Sequence, residues 1–162
     1  MFGTSPGRAQ SKWWQGRAAA GTIVPVAHRV LPHTADTGVE AVADSLPALI
    51  GELAGAMFGL IAEAECESVE KWIEVRVESP TVEDLAVDVL SALLYHSEVE
   101  DLFLCAFEVK QAAEAFALTM RAGGVPTGTV EAVGPPIKAV TYHNLVVEKR
   151  DHGWYGRVYF DV

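Results

Sequence analysis

Residues 71–95 read KWIEVRVESPTVEDLAVDVLSALLY, and the spacing of apolar positions changes once inside them. Over residues 71–79, Ile73, Val75 and Val77 alternate with Glu74, Arg76 and Glu78. That period of two gives a strand one buried face and one wet face. Pro80 lacks the N–H a ladder needs and ends the strand. From Thr81 the spacing becomes three and four. Val82, Leu85, Ala86, Val89, Leu90, Leu93 and Leu94 share one side of a helix predicted to run to about Tyr95, and Asp84 follows Thr81 in near capping-box order. A half-buried strand followed by a one-sided helix needs a sheet with helices on it.

The same alternation extends outward. Upstream, residues 23–30 and 39–43 read as strands joined by the polar turn His33-Thr34-Ala35-Asp36-Thr37-Gly38. Asp44 or Ser45 then caps a helix whose buried stripe is Leu46, Leu49, Ile50, Leu53, Met57, Leu60 and Ile61, with Pro47 tolerated in the first turn. Downstream, residues 101–110 and 115–121 are strand candidates, residues 123–128 (GGVPTG) read as a loop, and residues 137–149 as a long strand. Asp151-His152-Gly153 is a tight turn before a closing strand over 154–161. The expected fold class is α+β: one domain with a mixed or antiparallel sheet and two main helices packed on it.

A chain of 162 residues with 50% hydrophobic content suits one core and not two. Residues 1–22 mix Gly, Ser, Gln, Ala and Arg without period and read as a flexible extension or leader, leaving 23–162 as the domain. Trp13-Trp14 is unusual in such a segment. Of 12 basic residues, Arg8, Lys12 and Arg17 lie in the leader beside no acid, so 9 face 22 acidic groups in the domain, a balance of −13. So acidic a domain repels phosphate backbones, which argues against direct nucleic-acid binding and for a basic partner or a bound cation. No apolar run is long enough to span a membrane. Cys66 and Cys105 are far apart in sequence, and Cys105 lies in the apolar run 102–107. Unpaired cysteines and a reducing, cytoplasmic setting are the expectation.

Three places offer chemistry. Asp36 sits in the first polar turn beside His33 and Thr34, although a turn aspartate alone is ordinarily solvated. Asp161 and the carboxylate of Val162 follow a regular strand, and two anions one residue apart repel unless a cation lies between them. Hard ions such as Ca²⁺, Mg²⁺ or Mn²⁺ take such oxygen sets. Lys138 is the sole base between Arg121 and Lys149, and alternation puts it on one face with Val140, Tyr142 and Asn144. His143 in an apolar strand reads as a core histidine, and His33, His96 and His152 show no zinc spacing. No phosphate loop and no nucleophile–base pair is visible, so catalytic residues are none.

Leu31-Pro32-His33-Thr34-Ala35-Asp36-Thr37-Gly38 resembles the opening HTAD-x-G signature of the archease family. Residues 135–144 (PPIKAVTYHN) resemble that family's VKAxTYH strand, residues 158–162 (VYFDV) its Asp-plus-aliphatic terminus, and residues 84–95 its second helix. The resemblance covers about residues 27–162. It differs at Pro32, where the family often has Asp, and at His96-Ser97, where aromatic and acidic residues are often seen. The resemblance implies a non-enzymatic cofactor of the RNA-splicing ligase RtcB, promoting guanylylation and multiple turnover in tRNA splicing and RNA repair. It implies a divalent metal site of Asp36, Asp161 and Val162, and a functional lysine at Lys138, with His33 and His143 near the ligase's nucleotide pocket. The alternatives are a metal-dependent phosphohydrolase, with Asp36 as ligand or nucleophile and His33 or His143 as base, and a general chaperone.

Overall fold

The structure, a computed structural model, describes residues 27–31, 36–64, 66–111 and 116–162. The expected boundary at residue 22, Trp13-Trp14 and His33 lie outside them. Strands β1 (Ala27–Leu31) and β2 (Thr37–Ala43) lead into helix α1 (Leu46–Ile61) and the short strand β3 (Ala62–Glu63). Strand β4 (Lys71–Glu78) and helix α2 (Val82–Glu100) follow, then β5 (Leu102–Gln111), β6 (Ala117–Pro126), β7 (Glu131–Ala132), β8 (Ala139–Arg150) and β9 (Gly153–Asp161). Every pairing is antiparallel, in sheets ordered β1-β2-β9-β8, β4-β6-β5 and β3-β7. The α+β expectation holds in its antiparallel form.

Both helices start where capping chemistry places them. The Ser45 hydroxyl accepts from the Ala48 N–H at 3.2 Å, and Thr81 accepts from the Asp84 N–H at 3.0 Å while donating to its carboxylate. Helix α1 packs on β2, β5 and β9, and α2 on β8, β4 and β5, so a single cluster joins the two larger sheets. Leu49, Ile50, Leu53 and Met57 are fully buried from α1, as are Leu85, Val89, Leu90 and Leu93 from α2. Gly51, Gly55 and Gly59 make α1 a poor helix former by itself, so burial holds it together. A Cβ on Gly55 would meet nothing within 4 Å. Gly55→Ala is therefore expected to stabilise the fold by about 0.5–1 kcal/mol, read as a higher midpoint in thermal denaturation; a fall would show that space there is not free.

Four expectations need correction. Helix α2 runs five residues past Tyr95, to Glu100, because no Gly or Pro interrupts it. It stops where Asp101 takes the left-handed conformation at φ 53°, one that Asp tolerates better than most residues. Gly123 and Gly124 do not open a loop but continue β6 to Pro126. A Cβ on Gly124 would stand 2.6 Å from the Phe103 carbonyl oxygen, and one on Gly123 would stand 2.7 Å from Val69, so close approach explains both. Alternation in β8 breaks between Thr141 and Val146, where the chain bulges against β9 and Asn144 takes φ 51°. Finally, Cys66 and Cys105 are not separate thiols. A shift in β5 between Leu104 and Ala106 leaves Cys105 half-buried, disulfide-bonded to Cys66 with Cα atoms 5.8 Å apart.

Candidate metal and partner site

Strand β9 is central, between β2 and β8, and its last residues organise the site. Phe160 is fully buried, so alternation turns Tyr159 and Asp161 to the opposite, outer face. Gly38 lies opposite Tyr159, and a Cβ there would stand 2.7 Å from the tyrosine ring, so the glycine in the turn motif seats that ring. Thr37 pairs with Phe160. That is the last pair of the ladder; Asp36 directly precedes Thr37 and Asp161 directly follows Phe160, so the two lie at the same end of these strands. On the other side Ala139 pairs with Asp161, and the Lys138 N–H donates to the Asp161 carbonyl at 2.8 Å.

Asp36, Asp161, Val162 and Lys138 thus lie at one end of three adjacent strands, although they come from the two ends of the domain. Asp36 and Val162 are half-buried, whereas Asp161 and Lys138 are exposed. Lys138 forms no ion pair with a described residue. No group of three or more His, Cys, Asp or Glu side chains suited to a metal occurs among the described residues. Asp36 and Asp161 supply two carboxylates, and the third donor of the expected set is the Val162 carboxylate, not a side chain. The donor chemistry is all oxygen, which suits a hard divalent ion.

His143 is exposed, not a core histidine, because the β8 bulge carries it outward. Its ring lies 6.1 Å from that of Tyr159, and its Nε2 is 3.1 Å from the Asn144 amide nitrogen. The same bulge sends Tyr142 to the start of α2, where its hydroxyl donates to Asp84 at 2.8 Å. That hydrogen bond, aided by the negative charge of Asp84, raises the Tyr142 pKa above the usual 10. A raised phenol stabilises the fold while protonated; this contribution is complete below the unfolded value and disappears as pH rises through the folded one. Tyr142→Phe is expected to remove one late-ionising phenol from the ultraviolet pH titration and to flatten the stability loss above pH ~10. An unchanged titration curve would contradict the contact.

The sequence reading did not single out His28. It lies on β1, the sheet edge far from β8, with its Nδ1 3.9 Å from the Glu52 carboxylate of α1. Its only signal was a polar ring inside an apolar strand.

A single α+β domain with two helices against antiparallel sheets and an acidic strand-end cluster defines the class. Residues 28–162 match the archease protein family (MTH1598/TM1083), and the chain belongs to that family. It is 34% identical to the Protein archease of Methanosarcina mazei over 83% of this chain and 95% of that one, and 30% identical to the Methanopyrus kandleri Protein archease over 82% and 96%. Its fold matches the solution structure of Methanobacterium thermoautotrophicum protein 1598, with TM-score 0.71 and 24% identity over 83% of this chain and 98% of that one. It also matches a Thermotoga maritima archease described as a possible chaperone, with TM-score 0.57 and 21% identity over 82% and 94%. Among the described residues no helix is long and apolar enough to cross a membrane.

Proposed function

We propose that this protein is a non-enzymatic accessory factor of an RtcB-type RNA-splicing ligase, promoting the ligase's guanylylation and multiple turnover in tRNA splicing and RNA repair. What supports the reading is that Asp36, Asp161 and Lys138 lie at the same end of β2, β9 and β8, with the Lys138 N–H donating to the Asp161 carbonyl. In this reading Asp36, Asp161 and the Val162 carboxylate hold a divalent ion, Ca²⁺ or Mg²⁺/Mn²⁺. Such an ion would supply positive charge for orienting phosphate groups. Lys138, exposed and without an ion-pair partner among the described residues, offers a point charge to the ligase's nucleotide pocket, and the same reading assigns the exposed His143, and His33, to that contact. A balance of −13 over residues 23–162 favours a basic protein surface over RNA as the direct partner. The setting is cytoplasmic, where the Cys66–Cys105 bond would have to withstand the glutathione pool.

The test is multiple-turnover ligation by a cognate ligase. Asp161→Ala and Lys138→Ala are expected to lose the stimulation, while Lys149→Ala, at the far end of β8, keeps it. Full stimulation by Asp161→Ala would overturn the reading. The chaperone alternative draws on the Thermotoga protein's description, and suppressed aggregation of unrelated clients would favour it. Phosphate release by the protein alone would favour the phosphohydrolase.

A further inference from the structure

We propose that the cavity between α1, β1 and β5 is the docking site of this chain's own N-terminal segment, with Trp13-Trp14 as the group that fills it. The cavity holds about 590 Å³, room for large aromatic side chains. It lies at the β1 edge of the sheet, whereas Asp161 and Lys138 belong to β9 and the approach to β8.

Apolar side chains stand uncovered there on the core side of two sheets. Strands β1 and β5 each form the edge of their sheet. Val30 of β1 pairs with Val39, which is fully buried, so both belong to the face turned toward the core. Val30 is nevertheless 49% exposed and lines the cavity. On β5, Phe107 pairs with the fully buried Ala122 and lines the same cavity, yet is only half-buried. Phe58 and Phe103 add two more aromatic rings to the wall. Core-facing apolar surface left open at two sheet edges calls for a cover.

Three observations select the occupant. The first is attachment. The described residues begin at Ala27 on β1, and His28 and Val30 already line the cavity, so the N-terminal segment joins the domain at its rim. Residues 15–26 separate Trp14 from Ala27, and a dozen residues reach up to about 40 Å, so the pair can return over the cavity. Such a tether raises the effective concentration to the order of millimolar. The second is composition: Trp13-Trp14 are the largest apolar groups in residues 1–22, and each indole has roughly 150–250 Å² to bury. The third is charge. Arg8, Lys12 and Arg17, beside no acid, carry +3 toward a domain of −13, whereas two copies of the chain would meet at −10 each. Residues 1–27 precede the family match, so this cover is a feature of this chain beyond the matched domain.

The test uses tryptophan fluorescence of the full chain. Subtracting Trp13→Ser/Trp14→Ser from the parent separates the emission of that pair from Trp72 and Trp154. The pair is expected to emit to the blue of free N-acetyltryptophanamide. Its quenching by acrylamide should fall about tenfold below the free compound, as for a docked state favoured by that factor. The double variant should bind the neutral dye Nile red, which the parent excludes. Val30→Lys, at an exposed wall position, leaves the core intact and is expected to return the quenching to the free level. Quenching at the free level in the parent, protection unchanged by Val30→Lys, or protection lost on dilution, which would mean that a second copy covers the cavity, would each overturn the proposal.

Discussion

Replacing Leu53 with alanine is expected to remove roughly 2–5 kcal/mol of stability, the range for a leucine whose cavity cannot collapse. Leu53 is fully buried at the centre of α1 and reaches β9, where a Cβ on Gly156 would stand 3.0 Å from its Cδ1. Helix α1 has little intrinsic propensity to fall back on, with glycines at 51, 55 and 59, so its hold on β2, β5 and β9 depends on side chains such as this one. Whole domains are stable by only about 5–15 kcal/mol, so the loss is a large fraction of the total. Urea unfolding should show a lower midpoint at unchanged slope. A loss under about 1 kcal/mol would mean that α1 is not the element joining the two larger sheets.

The second large effect has two signs. Asp36→Asn and Asp161→Asn are each expected to weaken divalent-ion binding at least about tenfold, or about 1.4 kcal/mol, since each removes one of three proposed charged donors. Without the ion, the same variants should be as stable as the parent or slightly more so. Carboxylates gathered at the same end of adjacent strands repel, and neutralising one relieves that cost, by roughly 0.2–1 kcal/mol. An ordinary structural pair of side chains would lose stability in both conditions. Chemical denaturation with chelator and with added Ca²⁺ separates the cases.

Local rules made much of this fold readable. The switch of period around Pro80 located β4 and α2, and hydroxyl caps at Ser45 and Thr81 set both helix starts. What escaped notice depends on contacts distant in sequence. Gly123 and Gly124 look like loop residues until Val69 and Phe103 are seen against them. The β8 bulge, which turns His143 outward and Tyr142 toward Asp84, comes from pairing with β9 and has no mark in residues 141–146 themselves. The bond between Cys66 and Cys105, 39 residues apart, needs the β5 irregularity that leaves Cys105 half-buried. The site was legible in part. Asp36, Lys138 and Asp161 stood out by motif, but only the β2–β9–β8 register puts them at one sheet end. The His28–Glu52 pair was not legible at all, since it needs β1 laid beside α1.

The most direct measurement is a crystal structure of the protein grown with calcium. Carboxylate oxygens of Asp36 and Asp161 should both lie about 2.3–2.6 Å from one ion, with a Val162 terminal oxygen completing the protein ligands. Full calcium occupancy elsewhere, with the Asp36 and Asp161 side chains turned apart and joined only by water, would contradict the account.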